Sequence, residues 1–135
     1  MFDPWAVLRS YPHIRLEWTV LEGRVGETNG VDLIRLDTRL LQVERRCVLT
    51  HELVHVARED RGCQPLGVER SVRRRSSVLL IDVQDLRREV RWARNTRELA
   101  AELWVTERVL EDRLDHLSER ERNYLTTGDL AVLTA

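Results

Sequence analysis

From Leu40 to Arg58 the chain contains neither glycine nor proline, and its apolar residues fall on nearly every side of a helical projection. Leu41, Cys47, Leu49, Leu53, Val54 and Val56 do not share one stripe at 3.6 residues per turn. A helix that is apolar on most sides is stable in water only when other elements surround it, so this segment predicts a helix in the middle of a domain. The 135 residues are one domain's worth and suffice to bury a core without disulfide or metal support.

The flanking segments supply the surrounding layers. Asp3 is a plausible N-cap and Pro4 a plausible first residue of a short helix that Pro12 ends. "HIRLEWTVL" then alternates, with Ile14, Leu16, Trp18 and Val20 on one face, as in a half-buried strand. "EGRVGETNGVDLIRLD" reads as turn, strand, turn, strand, and Asn29-Gly30 is a hairpin signal. Asp37 or Thr38 is the expected cap of the long helix. "EDRGCQPLG" breaks the helical pattern, and a helix follows from about Val68 to Leu80. Asp82 caps another, Asn95 or Thr96 begins two or three short ones, and the last residues, "LTTGDLAVLTA", read as a frayed tail. The expectation is a single α+β domain over 1–135, a small antiparallel sheet packed on a helical bundle with the long helix at its centre. Its parts are residues 1–37 (helix and sheet), 38–94 (site helices) and 95–125 (a helix-turn-helix-like segment).

Inside the long helix lies "HELVH". His51 and His55, at i and i+4, project from one face, where one zinc ion can take a nitrogen from each. Glu52 sits one residue off that direction and is placed to act as general base on an attacking water, with zinc as Lewis acid. Chance produces this pattern in on the order of one chain in a few hundred of this length. Two imidazoles and a carboxylate on a buried helix also need partners, which a metal provides. A catalytic zinc needs a third protein ligand. Glu69, in the first turn of the following helix, is favoured over Asp82 on geometry. Glu59 and Asp60 reach back poorly from the end of the same helix, and nothing in the sequence brings His13 or His116 near. Cys47, one turn before His51, reads as packing; a bridge between it and Cys63 stays open.

Three stretches carry a resemblance: "RLDTRLLQVERRCVLTHELVH", "ERSVRRRSSVLLI" and "ELAAELWVTERVLEDRLDHLSERERNYL". Together, from about residue 32 to 125, they resemble the ImmA/IrrE family of metallopeptidases, in particular a short actinobacterial and actinophage form. The resemblance implies a zinc-dependent peptidase of phage or mobile-element origin acting on a repressor or related regulator. His51 and His55 match the zinc histidines, Glu52 the catalytic glutamate, and Glu69 the glutamate that opens the family's next motif. Val72-Arg73 and Ser76-Ser77 stand where the family usually has a small polar pair and then two alanines. Arg73 lies one helical turn from Glu69.

Composition narrows the remaining options. The formal charge is −1, so no global field draws the chain to nucleic acid or membrane. All 22 basic residues are arginine, as GC-rich coding favours. No apolar run approaches the ~18 residues of a membrane span and no leader opens the sequence, so a cytoplasmic protein with thiol cysteines is expected. In the helix-turn-helix-like segment, Thr106 is a fair cap, but the second helix offers Glu107, Glu111 and Asp112 beside Arg108, and acids meet phosphates badly. That segment therefore reads as packing or a protein contact. The arginines at 70, 73, 74, 75, 87, 88, 91 and 94 read as a solvated face, and Trp92 and Trp104 as core. Tyr124 and His116 are the candidate oxyanion donors. The substrate would lie extended along a sheet edge, adding a strand. A second class fits the same residues: a zinc-containing module that binds a regulator without cutting it. DNA binding through the helix-turn-helix-like segment is a third.

Overall fold

The structure, a computed structural model, describes residues 1–134 and has an α+β fold of eight helices and one three-stranded sheet. The described chain folds as two compact units, Asp3–Ser76 and a second over residues 77–134 with Met1–Phe2. The boundary falls inside a helix.

In the first unit, α1 (Pro4–Arg9) begins where the Asp3 carboxylate accepts from the Trp5 and Ala6 amides. The strands are β1 (Arg15–Thr19), β2 (Gly26–Thr28) and β3 (Leu33–Asp37). Asn29 makes the β2–β3 turn: its Oδ1 accepts from the amides of Val31, Asp32 and Leu33, and Gly30 takes a φ of +74°. The sheet is mixed, which corrects the antiparallel expectation. β2 pairs antiparallel with β3, but β1 pairs parallel with β3 on its other edge, in the order β1-β3-β2. The reason is burial. Ile34 and Leu36 on β3 are fully buried, so β3 takes the middle, and residues 20–32, β2 included, form a connection long enough for a parallel crossover.

Helix α2 (Gln42–Ala57) packs on α1, β2 and β3. Leu49 and Leu53 meet Ile34 and Leu36 in the core of this unit, each buried leucine contributing about 2 kcal/mol. The cap of α2 differs from expectation. Leu41 is the N-cap, and its amide donates to Glu44 Oε1. Asp37 instead accepts from the Leu21 amide and pairs with Arg39, which hold its carboxyl far below the usual range. Trp18 is only partly covered. Its ring lies 6.4 Å from that of Trp5 and 4.8 Å from the Arg45 guanidinium. Helix α3 (Leu66–Leu80) opens in this unit and carries the chain into the next.

The second unit holds α4 (Val83–Val90), α5 (Thr96–Glu102), α6 (Glu107–Asp115), α7 (Glu119–Tyr124) and α8 (Thr127–Thr134). The side chains of Asp82, Asn95, Thr106 and Ser118 cap the first four, accepting from the amides of Gln84, Glu98, Val109 and Glu121. The segment read as a frayed tail is α8: Thr126 and Asp129 exchange hydrogen bonds at its start, and Asp129 is buried. Trp92 and Trp104 are exposed, not core. Val90 closes the buried face of α4, and Trp92, two residues on, falls off that face. Trp104 sits in the turn after α5 with a φ of +56°. Asp112 is buried, which removes one acid from the exposed start of α6. Cys47 is a buried free thiol and Cys63 an exposed one.

Candidate metal centre

Three of the residues singled out in the sequence converge in the first unit. The ligand atoms of His51, His55 and Glu69 all lie within 4.8 Å of one another. Helical spacing puts the two imidazoles one turn apart on α2, with ring centroids 5.0 Å apart. The loop after α2 returns the chain so that the first turn of α3 brings Glu69 across both rings. Glu69 Oε2 is 3.0 Å from His51 Nε2, and Oε1 is 3.1 Å from His55 Nε2. Arg73, one turn further along α3, is close enough for its charge to be felt at His51.

The three residues could hold a metal ion, since two imidazole nitrogens and one carboxylate are donors that a divalent ion such as zinc accepts. The electrostatics agree. Burial and the neighbouring His55 ring hold the His51 imidazole below its ordinary pKa, so the neutral ring that a metal requires is favoured.

Glu52 is not in the cluster. It is 6% exposed, and burial pushes its carboxyl up to about 7. The nearest strand is β2, at the sheet edge. A Cβ on Gly26 would lie 2.5 Å from Val48 Cγ1 and 3.2 Å from Glu52 Oε1. The backbone of the edge strand therefore runs directly over the glutamate, and only glycine fits there without displacing a neighbour.

Asp82, Tyr124 and His116 belong to the second unit, where each has contacts of its own. Asp82 caps α4, the Tyr124 ring carries the Arg87 guanidinium at 4.6 Å, and His116 Nδ1 meets the Asp112 carbonyl at 2.7 Å. Tyr11 and His13 line a separate cavity of about 440 Å³ with Val31, Glu59 and Arg61, which contains none of the four site residues. Asp60 is the residue that sequence reasoning undervalued. It is no part of the three-ligand cluster, but its Oδ2 lies 3.0 Å from His55 Nδ1. Compared with family models, curated proteins and solved structures, the chain matches none.

Proposed function

We propose that this chain is a zinc-dependent endopeptidase that cleaves a regulatory protein, of the repressor type implied by its resemblance to the ImmA/IrrE peptidases, from a phage or mobile element. The observation that carries the reading is the convergence of His51, His55 and Glu69, with the buried Glu52 beside them but outside the ligand set.

His51, His55 and Glu69 would hold the ion. Zinc, when bound, supplies a Lewis acid that polarises a peptide carbonyl and activates water. Glu52, buried beside the ligand histidines but outside their set, would take a proton from the attacking water and deliver it to the leaving amine. The substrate adds a strand to the free edge of β2, whose backbone at Gly26 lies over Glu52.

The test is to load the protein with zinc and mix it with repressors encoded in the same genome. Cleavage at one site, reduced about 10²–10⁴-fold in Glu52→Gln while zinc content is unchanged, supports the peptidase. Tight binding by both forms without cleavage sinks it, and leaves a zinc-containing module that captures its partner.

A further inference from the structure

We infer that Asp60 is a positioning residue for His55: it takes the hydrogen bond of Nδ1 and leaves the Nε2 lone pair aimed at the metal position. The inference rests on the metal-site reading above. The His55 ring lies between two carboxylates, Nδ1 at 3.0 Å from Asp60 Oδ2 and Nε2 at 3.1 Å from Glu69 Oε1, and an ionised carboxylate only accepts hydrogen bonds. A metal held with Glu69 would take the Nε2 lone pair, which leaves Nδ1 to carry the proton and donate it to Asp60. Both side chains are well covered, 14% exposed for Asp60 and 6% for His55. The contact is thus shielded from competition by water.

The local backbone is built to deliver this carboxylate. At the end of α2 the Glu59 amide donates to the Val56 carbonyl and the Asp60 amide to the His55 carbonyl, the paired bonds of a Schellman turn. That turn needs a left-handed residue, and Glu59 supplies it with a φ of +60°, where glycine is the usual choice. The chain therefore doubles back, and Asp60 comes to lie beside the ring whose own carbonyl it caps. The tip of the β2–β3 hairpin braces the turn from outside. A Cβ on Gly30 would sit 1.9 Å from the Asp60 carbonyl oxygen, so the two backbones touch. Arg58 Nε, also 3.0 Å from Asp60 Oδ2, compensates the charge of that carboxylate.

Asp60 is one step removed from the metal, and partners of that kind set metal affinity through the orientation and tautomer of the ligand. The full-length chain is titrated with zinc against a chromophoric chelator at neutral pH, as wild type and as Asp60→Asn, Asp60→Ala and Arg58→Ala. Asp60→Ala is expected to weaken zinc binding about 10–100-fold. Asp60→Asn keeps an acceptor for the ring and restores most of that loss. Arg58→Ala, which removes the other partner of the same carboxylate, leaves affinity within about twofold, since the ring contact remains. If Asp60→Ala fails to fold, the nitrogen spectrum of His55 in the zinc-loaded wild type decides: protonation at Nδ1 with coordination through Nε2 supports the inference. Equal zinc affinity in wild type and a folded Asp60→Ala, or coordination through Nδ1, overturns it and leaves the metal site standing. A wild type that takes up no zinc overturns the metal-site reading and the inference together.

Discussion

Gly26 leaves no room for a side chain beside Glu52. It carries no special φ; what it needs is space, because Val48 and Glu52 occupy the volume a side chain would take. Gly26→Ala pushes a methyl to within 2.5 Å of Val48 Cγ1. Overpacking of this kind costs about 1–3 kcal/mol. The obstruction is a side-chain methyl, not backbone, so Val48→Ala in the same chain should recover much of the loss. Urea unfolding of the two single variants and the double variant tests this, and additive destabilisation refutes the steric account. Glu69 makes a different demand. Its two oxygens serve two rings at once, so Glu69→Ala should abolish zinc uptake at stoichiometric metal. Equilibrium dialysis that still recovers one zinc per chain would remove Glu69 from the ligand set.

Among elements, the α6–α7 corner depends on a residue that looks ordinary in the sequence. Arg113 is 2% exposed; its guanidinium forks onto Glu121 and its Nε donates to the Ile81 carbonyl at 2.8 Å. Glu121→Gln leaves a buried guanidinium without its counter-charge, at a cost of about 3 kcal/mol. The pH dependence follows from the same pair. Arg113 first, then the Ser118 backbone and hydroxyl, hold the Glu121 carboxyl down to about 2, below its unfolded value of about 4.3. A depressed folded pKa means that the stabilisation is complete above the unfolded value and disappears as pH falls toward 2. Stability should therefore drop across that window in wild type and drop less steeply in Glu121→Gln, which denaturant unfolding at a series of pH values measures. The Arg113 contact was not legible because Ile81 lies far from it along the chain. The Asp3, Asp82, Asn95 and Thr106 caps were legible because they act within three residues. The same contrast explains the sheet. The Asn29-Gly30 turn is a local signal, whereas the parallel pairing of β1 with β3 depends on which strand is most buried. It also explains the site. His51, Glu52 and His55 stand in one helical turn, and Glu69 was reachable through the break at Gly62 and Pro65. Asp60 depends on a left-handed turn at Glu59 that no glycine announces.

At the scale of the molecule, every residue of the metal cluster, with Glu52 and Asp60, belongs to the unit Asp3–Ser76. Among the described residues no helix is long and apolar enough to cross a membrane. A ligand that binds only the folded form stabilises it by mass action, by about 2.7 kcal/mol at a hundredfold excess over Kd. Where that stabilisation is felt depends on which segments open locally. The segment most affected should be the one that zinc ties together: the last two turns of α2, the loop over residues 58–65 and the first turn of α3. Its amides make short-range turn contacts, such as Asp60 to His55 and Glu69 to Pro65, that a bound ion would fasten at both ends. Hydrogen exchange with and without zinc is therefore expected to show slowed exchange there, while locally opening amides of α5, α6 and α7 in the other unit keep their rates. A chelator should reverse the change, and His51→Ala should abolish it. Protection confined to α5–α7, or present in His51→Ala, would mean that zinc binds elsewhere on the chain.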